Sequence, residues 1–296
     1  MYSAIAANKR KTWLIMALFI AIISLLGWVF ANLYGGGNFS YMYMAVAVGA
    51  IYALIQYFLA AKLAVAMNGA KEIEKKDNPR LWRTVENLAI TAGMPMPKVY
   101  IMDDPAPNAF ATGRDPKHAI VCATTGLLDI MNDTELEAVM AHEMSHVRNY
   151  DIRVMMIVFG LVSAIGLIAD LLLHLMWFGG GDDEDRQPNV IFIALGIAAA
   201  ILAPLVATLV QLAVSRRREY LADSSGALLT RYPEGLADAL EKIAAHGSTT
   251  RHQNSATAHL FFANPLRQKN FAARLFSTHP PVEERIAKLR SMGGHV

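Results

Sequence analysis

The chain has 296 residues, of which 54% are hydrophobic and only 18% are charged, and this composition argues against a wholly water-soluble fold. The formal net charge of +2, carried in short separate basic clusters, argues against nucleic acid as a partner. Cys122 is the single cysteine, which excludes an intrachain disulfide and a cysteine-rich metal site. The composition therefore predicts a membrane protein.

Four long apolar runs, arranged in two pairs, predict four membrane-spanning helices. The first pair, joined by a Gly-rich link, is Trp13–Asn32 and Tyr41–Ala61. The second pair, joined by a loop rich in glycine and acidic residues, is Val154–Phe178 and Val190–Val214. A helix needs about 20 residues to cross a bilayer core of roughly 30 Å, and each of the four runs is long enough. Because both links are short, each pair is expected to form a hairpin.

The flanks of these runs predict how the chain is oriented in the membrane. Lysine and arginine clusters lie before the first run, after the second, before the third and after the fourth, which places all four clusters on one side. Cytoplasmic flanks of membrane helices carry such an excess of positive charge. The two hairpins are therefore predicted at 1–61 and 154–215, and the soluble segments 62–153 and 216–296 are expected to face the cytoplasm of a multi-pass protein of the cell membrane.

The third run contains two ionisable residues, Asp170 and His174, which lie four positions apart and so on one helix face. Ionisable groups in lipid are costly, so the two side chains are expected to pair or to face the helix bundle. A proton or ion path is the alternative. Whether this hairpin crosses the bilayer fully, or is partly sheltered by protein, stays open at this point.

The soluble segment 62–153 begins with the pattern of a helix followed by a small sheet. Asn78-Pro79 at the start and Gly93 at the end are typical helix-boundary residues. Three short apolar or β-branched runs between turn residues predict a small antiparallel sheet: Lys98–Met102, Asn108–Thr112 and Ala119–Cys122. An open edge of this sheet could accept an extended peptide by strand addition, although a purely structural hairpin explains the three runs equally well.

A second predicted helix of this segment carries a metal-binding motif. The helix begins with Thr134 and Glu137, which have capping-box spacing, and should run to about Asn149. It contains the sequence His-Glu-Met-Ser-His at 142–146. The two histidines lie one turn apart on one helix face, so their imidazole nitrogens can bind a single ion. Glu143 lies beside them, where it could take a proton from a metal-activated water.

A catalytic zinc ion usually has three protein ligands, so a third ligand must come from elsewhere in the chain. Glu219 is favoured, because the fourth apolar run is expected to continue through it as a helix. Asp223 lies one turn further along, where it could accept a hydrogen bond from a ligand histidine and fix its tautomer. The other candidates are Glu241, His246, His252, His259 and His279.

Three separated motifs in the same order resemble the HtpX family of membrane metallopeptidases, which is related to the CaaX prenyl-proteases. They are the HEMSH sequence at 142–146, Arg218–Asp223 (REYLAD) and Ser277–Arg285 (STHPPVEER). The resemblance extends over nearly the whole chain. It includes three further stretches: Asn8–Lys11, Asn108–Ala111 and His259–Leu266.

The resemblance implies both a fold and an activity. The fold would be a mainly α membrane protein with a cytoplasmic, zincin-like α+β catalytic domain built from 62–153 and 216–296 and carrying a small β-sheet. The activity would be that of a zinc endopeptidase acting on misfolded or unassembled membrane proteins. Its partners are therefore protein or peptide substrates and the lipid bilayer, and the sequence indicates no oligomeric state.

The resemblance also assigns roles to individual residues. It implies one zinc ion per chain, with His142, His146 and Glu219 as the metal ligands. Glu143 would be the general base. Asp223 would support a ligand histidine from behind.

Two further assignments are implied by the same resemblance. His279 is expected to hydrogen-bond the oxyanion of the reaction, although it could equally cap the last predicted helix, Val282–Ser291. The substrate would bind along an edge strand formed by Asn108, Ala109, Phe110 and Ala111.

Other functions are compatible with parts of the sequence. A membrane metal carrier could use the histidines as transit ligands, and a processing peptidase could act on lipidated proteins. Glu143 separates a peptidase from a carrier, since a carrier needs ligands but no base between them. An intramembrane peptidase is disfavoured because charged residues surround the motif: Asp133, Glu135, Arg148 and Asp151.

Overall fold

The computed structural model describes residues 2–33, 37–161, 163–164, 216–247, 249–251, 257–263 and 280–293. This part of the chain is mostly helical and contains a small sheet. Some predictions lie outside the described residues: most of the run Val154–Phe178 with Asp170 and His174, the run Val190–Val214, and the candidate ligands His252 and His279.

Two long helices, α1 (Tyr2–Leu33) and α2 (Ser40–Met67), pack against each other and include the first two predicted membrane runs. Gly27 allows their close approach, because a Cβ at this position would lie 2.8 Å from the Cβ of Ala45. Within the described residues, one stretch is long and apolar enough to cross a bilayer, Met42–Met67 of α2. Only 22% of its most apolar window is buried, so most of this stretch faces outward.

A four-stranded mixed sheet follows, formed by β1 (Lys71–Glu72), β2 (Lys98–Met102), β3 (Ala109–Gly113) and β4 (Ala119–Thr124). The strand order is β1-β2-β4-β3. The pairs β1–β2 and β3–β4 are antiparallel, but β2 and β4 are parallel. The prediction of an antiparallel sheet is therefore wrong at β2–β4. Because β3 takes the outer edge, the chain returns through β4 in the same direction as β2.

The helix α3 (Pro79–Ala92) has the predicted boundaries. At its start, the side chain of Asn78 accepts a hydrogen bond from the backbone N–H of Leu81, at 2.9 Å. At its end, Gly93 has a left-handed backbone with φ of 63°, which glycine adopts without a steric cost. A short helix that was not predicted, α4 (Thr125–Ile130), follows the sheet.

The helix that carries the two histidines is α5 (Asp133–Arg148). Its capping box is formed by Asn132 and Glu135, so the predicted box of Thr134 and Glu137 is wrong. The side chains of Asn132 and Glu135 each accept the other residue's backbone N–H at 2.9 Å. Asparagine is a better N-cap than threonine, and Thr134 already lies inside the first turn.

Four α-helical segments complete the described fold: α6 (151–161, with 163–164 also helical), α7 (Arg216–Thr230), α8 (Pro233–His246) and α9 (Val282–Gly293). The predicted last helix, α9, is confirmed and ends two residues later than expected. Helix α8 was not predicted.

The sheet separates two hydrophobic cores. One face, which includes Val99 and Val121, packs on α3, α5 and α8. The other face, which includes Phe110 and Cys122, packs on α1, α2 and α6. Because both faces are covered, β3 and β4 are buried along their whole length. The apolar helices α1 and α2 and the helix with the histidines are therefore packed on opposite faces of one sheet.

Candidate active site

The helix α5 places the imidazoles of His142 and His146 side by side, because residues four positions apart lie on the same helix face. Both side chains are buried. Their Nε2 atoms lie 3.1 Å apart, and the two rings are nearly perpendicular. The sequence motif therefore forms one compact pair of nitrogen ligands.

A carboxylate from another helix, Glu219 of α7, completes a cluster of three. One of its oxygens lies 3.7 Å from Nε2 of His142, and the other lies 3.6 Å from Nε2 of His146. Gly226 permits this approach of α7 to α5, because a Cβ at this position would lie only 3.0 Å from the backbone nitrogen of His142. The three potential ligand atoms lie within 4.8 Å of one another, a separation that one metal ion can bridge.

The remaining candidates for the third ligand do not reach this cluster in the described part of the chain. Glu241 and His246 are exposed on α8. Among the candidates whose side chains are described, Glu219 alone approaches the two histidines. The side chains outside the described set are those of His252, His259 and His279.

Behind the first imidazole lies a buried ion pair. Nδ1 of His142 is 2.9 Å from Oδ1 of Asp223. Arg285 of α9 donates hydrogen bonds to both oxygens of this carboxylate, from Nη2 at 2.6 Å and from Nε at 2.9 Å. Burial alone would raise the pKa of Asp223, but the charge of Arg285 lowers it well below its usual range.

Behind the second imidazole lies a different set of groups. Nδ1 of His146 is 3.1 Å from Oδ2 of Asp151, the first residue of α6. Oδ1 of Asp151 accepts a hydrogen bond from the side-chain amide of Asn8 at 2.7 Å and lies 3.3 Å from Nε of Arg218. A carboxylate behind each imidazole favours the tautomer with the proton on Nδ1, which leaves Nε2 as the acceptor that faces the cluster.

The two imidazoles differ in their affinity for a proton. Burial lowers the pKa of His142 to about 4, so this ring is neutral at pH 7. Burial also disfavours a charge on His146, but the hydrogen bond to Asp151 and the nearby Glu219 carboxylate raise the pKa of this histidine to about 9. In the absence of a cation, the cluster therefore holds a proton at neutral pH. A bound metal ion would take the place of that proton.

The geometry of the cluster fits a tetrahedrally bound metal ion. Ligand atoms at about 2.0–2.2 Å from such an ion lie roughly 3.3 Å from one another. The two Nε2 atoms are 3.1 Å apart, which is close to this value. Each of them has one Glu219 oxygen nearby, Oε2 at 3.7 Å for His142 and Oε1 at 3.6 Å for His146.

Glu143 lies next to the cluster and is only 1% exposed. Burial raises its pKa to about 7; the proximity of His146 opposes this rise and that of Glu219 adds to it. The backbone N–H of Ala111 on β3 is a hydrogen-bond partner of the carboxylate. A carboxylate with a pKa near neutrality can both accept and return a proton.

The edge strand β3 is covered by residues 261–263, which we call the covering segment. The backbone N–H of Phe262 donates a hydrogen bond to the carbonyl oxygen of Ala109 at 2.7 Å. The side chain of Asn108 holds the backbone of Ala263 twice: Nδ2 donates to its carbonyl oxygen at 2.8 Å, and Oδ1 accepts from its N–H at 3.1 Å. The expected open edge is therefore occupied by the chain itself.

The side chains of the covering segment also close the site. Phe261 forms a β-bridge with Phe110, and the centroids of the two rings are 5.0 Å apart. The ring of Phe262 lies edge-on to His142, with a centroid distance of 4.9 Å. Both phenylalanines are at most 2% exposed. The covering segment thus buries the ligand cluster from the side of the sheet edge.

Imidazoles from adjacent helical turns, a carboxylate from a second helix and a buried glutamate beside them define a metallopeptidase of the HExxH type. The model of one protein family, Peptidase family M48, matches residues 75–293. The chain belongs to this family.

Comparison with individual proteins agrees with this assignment. The Protease HtpX homolog of Tropheryma whipplei is 55% identical over 294 residues, which cover 99% of each chain. The Protease HtpX homolog of Streptococcus thermophilus is 44% identical over 299 residues, covering 99% of this chain and all of the relative. The solved structure of S. mikatae Ste24p has a similar fold, with a TM-score of 0.52 and 19% identity over 98% of this chain and 67% of that chain. The resemblance to the HtpX family that the motifs indicate is confirmed.

Three charged side chains around the ligands are not predicted as site residues by the sequence. Asp151 is one of several charges near the HEMSH motif, and Arg218 and Arg285 belong to the other two motifs. For Arg285, its position inside the third motif is the sequence feature that could have indicated a role in the site. For Asp151 and Arg218 no spacing rule applies, because their contacts arise where separate helices meet.

Proposed function

We propose that this metallopeptidase uses one zinc ion, held by His142, His146 and Glu219, to cleave internal peptide bonds of misfolded or unassembled membrane proteins. The observation that carries the proposal is the convergence of three buried ligand atoms within 4.8 Å. Two imidazole nitrogens and a carboxylate oxygen are ligands typical of catalytic zinc. Three protein ligands leave one coordination position for water or substrate.

Glu143 is the proposed general base. A zinc ion held by these residues would supply Lewis acidity toward a water molecule and the scissile carbonyl. The carboxylate of Glu143 takes a proton from the attacking water and delivers it to the leaving amine. Its burial supports this role, since the raised pKa of about 7 allows the carboxylate to bind and release a proton near neutral pH.

Other residues are proposed to orient these groups. Asp223 holds the proton of His142 on Nδ1 and so directs Nε2 toward the zinc position. His279, whose side chain lies outside the described residues, is proposed to donate a hydrogen bond to the oxyanion that forms at the scissile carbonyl.

The substrate is proposed to bind as an extended strand along β3. The covering segment supports this mode, because its backbone makes the hydrogen bonds to Asn108 and Ala109 that an added strand would make. A substrate has to displace the covering segment to reach the same groups. Backbone hydrogen bonds are nearly independent of side-chain identity, which suits a broad range of unfolded substrates. The proposed contact residues are Asn108, Ala109, Phe110 and Ala111.

We further propose that the enzyme is a multi-pass protein of the cell membrane. Two helical hairpins, 1–61 and 154–215, would anchor it, and the catalytic domain of 62–153 and 216–296 would face the cytoplasm. The outward-facing apolar stretch Met42–Met67 supports the first anchor, and the basic flanks of the apolar runs support the orientation.

The substitution Glu143→Gln in the full-length protein tests the proposed chemistry. We expect zinc to remain bound at one ion per chain, because the ligands are intact, and cleavage of casein to fall by about 10²–10⁴-fold. Zinc is measured by elemental analysis, and cleavage by release of acid-soluble peptide. Glu137→Gln on the same helix is the matched control and should leave both values unchanged.

The companion variant Glu219→Ala tests the third ligand. It should lose both zinc and cleavage, whereas Glu143→Gln should lose cleavage alone. Undiminished cleavage by Glu143→Gln would refute the role of this residue. If the unaltered protein binds zinc at this site but cleaves no unfolded protein, the metal-carrier function is favoured instead.

A further inference from the structure

The beginning of α1 reaches the metal-binding cluster through one buried amide. Nδ2 of Asn8 donates a hydrogen bond to the carbonyl oxygen of Asn149 at 2.9 Å and to Oδ1 of Asp151 at 2.7 Å. Asn8 is 6% exposed, and it lies 143 positions before Asp151 in the chain. The apolar hairpin and the site are therefore connected by specific hydrogen bonds as well as by packing.

The two acceptors belong to the tight turn between α5 and α6. Tyr150, between them, has a φ of 61°, a left-handed backbone that is uncommon for a residue with a large side chain. The ammonium group of Lys9 lies 4.7 Å from the centre of the Tyr150 ring. Asn8 and Lys9 thus hold both the backbone and the side chains of a turn whose conformation is intrinsically unfavourable.

This turn sets the position of Asp151, and Asp151 contacts a ligand of the site. Its Oδ2 lies 3.1 Å from Nδ1 of His146, while its Oδ1 receives the amide of Asn8. Groups that hold the far side of a metal-bound imidazole fix the direction of its Nε2 lone pair.

We propose that Asn8 is a positioning residue of the metal site: it holds Asp151, and through Asp151 it holds the imidazole of His146 toward the metal. The amino-terminal turns of α1 are then part of the peptidase site as well as part of an anchor. This inference rests on the proposed role of His146 as a metal ligand.

Zinc affinity of the full-length protein in detergent, measured by competition with a chelator, tests the inference. Loss of a group that contacts a metal ligand typically weakens metal binding by about 10–100-fold. Because Asn8 contacts Asp151 rather than the ligand His146, we expect Asn8→Ala to weaken zinc binding by about 10-fold, the lower end of this range. Asn32→Ala is the matched control, because Asn32 lies on the same helix and its amide donates to a local acceptor, the carbonyl oxygen of Trp28, at 2.8 Å. The control should keep the affinity of the unaltered protein.

The variant Asn8→Asp separates positioning from packing. Aspartate has the shape of asparagine, so a packing role makes Asn8→Asp milder than Asn8→Ala. A positioning role makes Asn8→Asp at least as severe, because a second carboxylate repels Asp151 instead of donating to it. A milder effect of Asn8→Asp overturns the inference, as does an unchanged affinity of Asn8→Ala.

A double-mutant cycle completes the test. If Asn8 acts through Asp151, then Asn8→Ala should cause no further loss in a protein that already carries Asp151→Ala. Fully additive losses overturn the inference. The variant His146→Ala distinguishes failure of this inference from failure of the proposed function. If His146→Ala binds zinc normally, the metal site itself is contradicted. If His146→Ala loses zinc while Asn8→Ala keeps the zinc affinity of the unaltered protein, only the role of Asn8 is contradicted.

Discussion

The two imidazoles of the site are supported from two different regions of the molecule. Behind His142, Asp223 of α7 accepts hydrogen bonds from Nε and Nη2 of Arg285 of α9. Behind His146, Asp151 is held by the neutral amide of Asn8 from the apolar hairpin, with Arg218 at a longer distance of 3.3 Å.

The difference explains why two histidines of one motif have opposite pKa shifts. The charge of Asp223 is largely neutralised by Arg285, so burial dominates and lowers the pKa of His142 to about 4. The charge of Asp151 is less fully neutralised, and together with Glu219 it overcomes burial and raises the pKa of His146 to about 9. Equal spacing in a motif therefore does not mean equal chemistry, because the groups behind the ligands decide the charge of each ring.

Breaking the ion pair on the His142 side should have the greatest consequence. Arg285→Met should lower the free energy of unfolding by about 3–5 kcal/mol, because it leaves the carboxylate of Asp223 buried without its partner. Thermal and denaturant unfolding of the metal-free protein in detergent measure this change. Arg290→Met on the same helix is the control, since Arg290 pairs with Asp238 and Glu241 on the surface, and it should unfold like the unaltered protein. Equal stability of the two variants would contradict the comparison.

The carboxylates behind the two imidazoles should also affect zinc affinity, by a smaller free energy than the loss of the Arg285 ion pair. We expect Asp223→Asn and Asp151→Asn each to weaken zinc binding by about 10–100-fold, because each removes a carboxylate that orients a ligand imidazole. The loss should be greater for Asp223→Asn, which also leaves Arg285 buried without a full counter-charge. Chelator competition at pH 7 measures both affinities, with the exposed Asp238→Asn as control. The reverse order of the two losses would show that the side facing the hairpin is the more important one.

The smallest expected effect concerns the covering segment on the His142 side. Phe262→Ala removes the ring that lies against His142 and Arg285, so the segment should leave β3 more often. Because apparent affinity rises with the fraction of molecules in the binding-competent state, kcat/KM for a short unstructured peptide should rise by about 2–10-fold. Phe39→Ala, at an exposed position before α2, should have no effect. A fall in kcat/KM with zinc still bound would mean that Phe262 assists substrate binding instead of blocking it.

Local sequence patterns were sufficient for the elements that depend on neighbouring residues. The boundaries of α3 follow from Asn78 and Gly93, whose capping geometry involves only the adjacent turn. The pairing of His142 with His146 follows from the pitch of one helix. The capping box of α5 was placed two residues too late, because two overlapping residue pairs have the same spacing and only the helix start distinguishes them.

Contacts between distant segments could not be predicted in the same way. The parallel pairing of β2 with β4 depends on β3 taking the outer edge, which no property of β2 itself determines. The covering segment lies within the stretch His259–Leu266 that resembles the HtpX family, but no pattern in this stretch predicts that it occupies the expected substrate edge.

The amino-acid sequence is sufficient to identify a metallopeptidase of the HtpX type, through the HEMSH motif on a helix, the apolar runs and the Glu219 motif. The groups that contact each imidazole on the side away from the ligand cluster are defined only in the folded chain. Asp151, Arg285 and Asn8 come from three different helices, and their hydrogen bonds exist only where those helices pack together. Periodicity and spacing report on a single helix or strand, whereas the charge of a buried imidazole depends on every group that surrounds it in space.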